Sequence, residues 1–214
     1  MIKPKQQKRQ PLLTVLAVGI VIIGIACAWW FMQRGTTASE HPEAALFRAL
    51  AEPRVPLAGA FRSYDAEAAI TAQLNAAGLG VRRSVLQRPP STRYPPRAMV
   101  TLTVEAYPHL GSAGTMVLEF FNDRLMEADF RPDEPSRYTT RLHREYPALR
   151  RDRTGHAEWQ APPLRIWSTV DLARSKVGRT LGSDGVVLWQ DTRLIAQRDD
   201  WDARYGHIPV PAPK

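Results

Sequence analysis

Residues 98–130 read AMVTLTVEAYPHLGSAGTMVLEFFNDRLMEADF, and their alternation decides the fold class. Ala98, Val100, Leu102, Val104 and Ala106 alternate with Met99, Thr101, Thr103 and Glu105. That period of two predicts a half-buried strand over Ala98–Ala106. Thr115–Phe121 reads as a second strand, Asn122-Asp123 as a hairpin turn, and Arg124–Phe130 as the return strand. Met126, Ala128 and Phe130 share one face of that return strand.

On the N-terminal side of this stretch, Val81–Gln87 reads as another strand, joined by the proline-rich connector 88–97. A helix is expected from about Asp65, with Ile70, Leu74 and Ala77 at helical spacing and Gly78 at its end. Before it, Ser39 is placed to cap a short helix over Pro42–Leu50. On the C-terminal side, Asp133 is placed to cap a helix reaching about Tyr146, with Pro135 in its first turn. Tyr138, Leu142, Tyr146 and Leu149 form its apolar stripe. Leu164–Leu172 alternates as a strand, Val186–Trp189 and Arg193–Gln197 read as a final hairpin, and Asp199–Tyr205 as a helical turn capped by Asp199 or Asp200.

The second half echoes the first. Leu110-Gly111-Ser112-Ala113-Gly114 precedes Val117, Phe120 and Arg124-Leu125, and Leu181-Gly182-Ser183-Asp184-Gly185 precedes Val187, Trp189 and Arg193-Leu194. The expected class is therefore α+β, an antiparallel sheet with helices on one face, built from two degenerate helix-plus-hairpin repeats at about 61–131 and 132–206. Residues 34–60 are read as a linker with a short helix, 61–206 as the folded domain and 207–214 as a flexible tail.

Leu12–Met32 is apolar apart from Thr14 and two glycines, long enough to span a bilayer. The expectation is one transmembrane helix over 11–33 behind a basic tail at 1–10, contacting membrane lipid through residues 12–32. Lys3, Lys5, Lys8 and Arg9 precede the run and only Arg34 closely follows it, which places the N-terminus in the cytoplasm. Trp29 and Trp30 fall at the outer interface as aromatic anchors. Cleavage or lipidation near Ala26-Cys27-Ala28 is an alternative, and all three readings export the domain. Arginine outnumbers lysine 22 to 2 after residue 35, a bias of GC-rich bacterial genomes. The expected place is thus a bacterial inner membrane, single-pass, with the domain in the periplasm.

The net charge of +8 shrinks to +3 once the residues flanking the apolar run are removed, since residues 36–214 hold 24 basic and 21 acidic side chains. That argues against a nucleic-acid partner. The only cysteine, Cys27, lies in the apolar run, which excludes a disulfide within the exported part. The five histidines follow no metal-binding spacing, Gly111-Ser112-Ala113-Gly114 is not a nucleophile elbow, and no phosphate-loop or dinucleotide motif occurs. No catalytic residue, metal site or cofactor is assigned. One polar strip stands out: Arg137, Arg141 and Arg144 on one side of the predicted helix, continued by Arg150, Arg151 and Arg153. It suits an anionic ligand, a lipid headgroup, a glycan or an acidic partner. The expected function is a non-catalytic, membrane-anchored interaction or scaffold module of the cell envelope with a protein partner. The alternatives are an anionic-ligand module using the arginine strip, or an enzyme whose site gathers His143 or His156 with carboxylates.

Overall fold

The computed structural model describes residues 41–88, 91–180, 182 and 184–210. The predicted basic tail 1–10, the membrane segment 11–33 with Trp29 and Trp30, and the Ser39 cap lie outside the described residues. Among the described residues, no helix is long and apolar enough to cross a membrane.

The chain is α+β. Among the described residues, eight strands form one antiparallel sheet: β1 (Val81–Arg88), β2 (Arg97–Val104), β3 (Gly114–Phe121), β4 (Leu125–Pro132), β5 (Arg150–Arg151), β6 (Ala157–Ala161), β7 (Leu164–Ser168) and β8 (Val187–Asp191). Their order is β1-β2-β3-β4-β8-β7-β6-β5, so two meanders meet at a central β4–β8 seam. The helices are α1 (Glu67–Ala76), α2 (Pro135–Glu145), α3 (Val170–Arg174), α4 (Lys176–Thr180) and α5 (Thr192–Tyr205). A helix followed by four strands thus occurs twice, α1 before β1–β4 and α2 before β5–β8, with α3 and α4 inserted ahead of β8.

The Asn122-Asp123 turn shows how local chemistry builds this. Both residues have positive φ, 49° and 61°, the conformation a tight hairpin demands and one that Asn and Asp tolerate. Asn122 then donates through Nδ2 to the Phe47 and Pro96 carbonyls, and its Oδ1 accepts from Ala98 N. Asp123 Oδ1 accepts from Glu67 N at 2.9 Å, capping α1 from a turn 56 residues away.

One face of the sheet carries the main core. Val100, Leu102, Val104, Met116, Leu118, Phe120, Ala128, Phe130, Ile166 and Trp189 pack against Ile70 and Leu74 of α1, Tyr138 and Leu142 of α2, and Val170 of α3. A second cluster, containing Phe47, Tyr64, Tyr94, Phe121, Met126, Leu194, Trp201 and Tyr205, closes one end of the opposite face with α5 as its cover. Residues 41–60, read as linker, belong to the compact unit 40–214 and bury Phe47, Leu57 and Ala58. Arg124, 3% exposed, ties that segment down by donating to the Phe47, Ala49 and Phe121 carbonyls. At the other end of the chain, Arg88 donates to the carbonyls of Tyr205, Gly206 and Ile208.

Several expectations are corrected. Arg193–Gln197 is not the return strand of a hairpin but the first half of α5. Its cap is Asp191, whose side chain accepts from Arg193 N at 3.0 Å, and Asp199 and Asp200 lie inside the helix rather than at its start. The expected strand at 164–172 stops at Ser168, and α3 begins at Val170. Asp133 does not cap α2, which starts after Glu134 without a side-chain cap. The expected helix over 42–50 is a single 3-10 turn, Leu46–Arg48. Helices are not confined to one face, since α5 lies on the other. The 71-residue sequence echo pairs β3 with β8 and β4 with α5, whereas the strand order sets β4 beside β8.

Candidate functional site

Away from α5, the second face of the sheet has no helix over it among the described residues. Two rows of side chains cross it from strand to strand. Thr103, Val117, Asp129, Leu188, Trp167 and Glu158 are cross-strand partners in one row, and Thr101, Glu119, Glu127, Gln190, Arg165 and Gln160 in the next. None of these twelve side chains is buried, and most are half-exposed. With strands about 4.8 Å apart and same-face rows about 6.8 Å apart, six strands and two rows give these twelve positions a footprint of about 400 Å².

Three carboxylates occupy the middle of that face. Glu119 and Glu127 are direct partners on β3 and β4, and Asp129 stands in the adjoining row. Burial pushes all three carboxyls above their ordinary range, and their mutual repulsion adds to it: Glu119 and Glu127 each feel Asp129, and Glu127 feels Glu119. Compensation is incomplete. Gln190 Nε2 donates to Glu127 Oε2 at 2.5 Å, Arg131 reaches Asp129 Oδ2 at 3.3 Å, and Arg198 of α5 contributes only at a distance. Asp129 Oδ1 is buried with no hydrogen-bond partner among the described residues. Leaving such an acceptor unmet costs about 1–3 kcal/mol. Beside the carboxylates, Trp167 stacks at 5.7 Å on His156, whose loop is folded around Asp152 Oδ1 through Thr154 and the His156 amide.

The arginine strip divides. Arg141 turns inward and donates from Nη1 to the Leu110 carbonyl at 2.8 Å, filling the space beside Gly111. Arg137, Arg144 and Arg153 are exposed. Only Arg150 and Arg151 join a cavity, of about 570 Å³, which they share with Thr139, Thr140 and His143 of α2 and Asp171 and Arg174 of α3. Asp171, whose side chain is 6% exposed, accepts from His143 Nε2 at 2.7 Å. Sequence reasoning missed Asp171 and Arg174 because nothing in the chain signals that α3 folds back beside α2. His156 joins neither site's chemistry beyond its stacking on Trp167.

His109, also scattered in sequence, is a core residue. It is 6% exposed, sits between Phe130, Tyr138 and Trp189, and its Nδ1 lies 2.7 Å from the Tyr138 hydroxyl. Burial lowers its pKa to about 4. Among the described residues, no group of three or more His, Cys, Asp or Glu side chains is arranged to hold a metal ion. Compared with protein-family models and with curated protein sequences, the chain matches none.

Proposed function

We propose that this chain is a non-catalytic interaction module of the bacterial cell envelope, held at the inner membrane by residues 11–33, that docks a protein partner on the open face of its sheet. The observation that carries the reading is the desolvated carboxylate trio, Glu119, Glu127 and Asp129, at the centre of an uncovered face. Like charges placed opposite one another on adjacent strands destabilise a sheet. Half-buried carboxylates with an unmet acceptor destabilise it further. A cationic side chain from a partner relieves both costs at once, so the surface fits a protein that presents Lys or Arg among apolar groups. Val117, Leu188 and Trp167 supply the apolar and aromatic contacts such a patch needs near its centre. A footprint of about 400 Å² is about half the roughly 800 Å² each partner contributes to a standard interface, which is the size of a transient contact. The repeated helix-plus-four-strand order supports reading the domain as two copies of one unit whose joined sheets make this wide face.

The test is photo-crosslinking in intact cells with a reactive amino acid at Thr103 or Leu188, compared with the same group at Arg137 on the helical side. Crosslinking of one defined protein from the sheet positions only, lost with Glu127→Lys, supports the reading. Equal products from both sides, or none from the sheet, refute it. A reporter enzyme active only in the periplasm, fused after Lys214, tests the topology.

A further inference from the structure

We infer that the cavity between α2, β5 and α3 is a binding site for a dianionic phosphate group, separate from the open sheet face. Arg150, Arg151 and Arg174 line the cavity together with one carboxylate, Asp171, which leaves a net charge of +2 at its wall. The arrangement around Asp171 shows what those cations are free to do. His143 Nε2 is within hydrogen-bond distance of Asp171 Oδ2, at 2.7 Å. Arg151 Nη1 and Arg174 Nη1 stand off at 3.7 and 4.0 Å from Oδ1, within ion-pair reach but beyond a hydrogen bond. Asp171 therefore gathers the two guanidiniums without consuming their N–H donors. Arg150 makes neither an ion pair nor a side-chain hydrogen bond among the described residues. A guanidinium is a planar fork of donors matched to phosphate oxygens, and several of them converging without saturated donors make an oxyanion site rather than a structural network.

The charge count selects the ligand class. A carboxylate ligand neutralises half of the surplus, whereas a phosphate monoester or orthophosphate, near two negative charges at pH 7, neutralises all of it. The neighbouring carboxylates are already engaged, Asp152 Oδ1 by Thr154 and the His156 amide and Glu158 Oε1, opposite Arg150, by Gln160 and Arg165.

The test titrates the full chain with inorganic phosphate and, separately, with a short-chain phosphatidic acid below its micelle concentration, read by calorimetry and by amide resonances of Thr140 and Arg151. Saturable binding is expected, weakened roughly tenfold for each guanidinium removed in Arg150→Gln, Arg151→Gln and Arg174→Gln. These side chains are exposed enough that the variants keep their circular dichroism; any one of the three that folds is a sufficient test. Equal affinity for the two probes assigns a soluble phosphate, and clearly tighter phosphatidic acid assigns a lipid headgroup. The double variant Arg137→Gln, Arg153→Gln removes twice that charge outside the cavity and is expected to leave binding unchanged. No saturation with either probe, or equal weakening by that control, overturns the site.

Discussion

Acidification is a direct probe of the core around His109. The imidazole is 6% exposed, faces Phe130, Tyr138 and Trp189, and its pKa falls from 6.5 to about 4 through burial alone, with no charged group contributing. The unfolded chain takes up a proton here as pH falls through 6.5, while the folded chain resists until about pH 4. Stability from this group is therefore intact above pH 6.5 and lost between 6.5 and 4, by 1.36 kcal/mol for each unit, or about 3 kcal/mol in all. Against a typical domain stability of roughly 5–15 kcal/mol that loss is large. The raised carboxylates Glu119, Glu127 and Asp129 act in the opposite sense, since the folded state holds their protons more tightly. The raw pH curve therefore mixes both signs, and a variant is needed to separate them. His109→Asn keeps an acceptor near the Tyr138 hydroxyl and removes the titration, at the cost of a cavity whose penalty does not depend on pH. Urea unfolding followed by tryptophan fluorescence suits the site, because Trp189 lies 5.3 Å from the imidazole. The wild-type chain should lose about 3 kcal/mol relative to the variant between about pH 7 and 4. A difference that stays flat across that range would falsify the account of a buried neutral imidazole.

Arg124→Leu should destabilise the domain by about 2 kcal/mol, because the Ala49 carbonyl loses its donor and the Phe47 carbonyl keeps only Asn122; unchanged urea midpoints would contradict this. Trp201→Ala should cost about 3–5 kcal/mol by emptying the cluster under α5, and an unaltered melting temperature would show that α5 is not the cover of that face. Asp123→Gly removes the cap of α1 while keeping the positive φ of the turn and should cost about 1 kcal/mol, with hydrogen exchange rising first at the amides of Glu67 and its neighbours. Glu119→Gln should raise the melting temperature at pH 7 and do so less at pH 4, where the native carboxyl is already protonated; the reverse order would remove the argument from desolvation.

The central meander was legible because its residues obey one rule at a time. Alternation over 98–106 and the Asn122-Asp123 pair fix strands and turn without help from elsewhere, and β2, β3 and β4 fall where the pattern puts them. The C-terminal helix was not legible. Leu194, Trp201 and Tyr205 bury one side of α5 at i, i+7 and i+11, but Gln197, Arg198, Asp199 and Asp200 fill the gap between them. Arg193–Gln197, taken alone, is a short apolar run between two polar residues, which suits a strand as well as a helix. β5 and β6 escaped because they are short and their side chains are mostly exposed, so no face of either carries a run of apolar residues. The sites follow the same division. Arg150 and Arg151 were visible as a basic run, yet Asp171 and Arg174 reach them only through tertiary folding. The open face could not be read at all, since it depends on the order of strands rather than on any strand's own sequence.

The β4–β8 seam matches only Glu127–Phe130 with Val187–Gln190. Two of the three crowded carboxylates, Glu127 and Asp129, lie on that short junction, opposite Gln190 and Leu188. The weakest electrostatics of the sheet thus coincide with the narrowest join between its halves. On the docking reading proposed above, a cationic partner seated there would act as a rivet, gripping both meanders while cancelling the repulsion between Glu119 and Glu127. The cohesion of the sheet would then rise with occupancy, and the stiffness of the domain would report how much partner is bound.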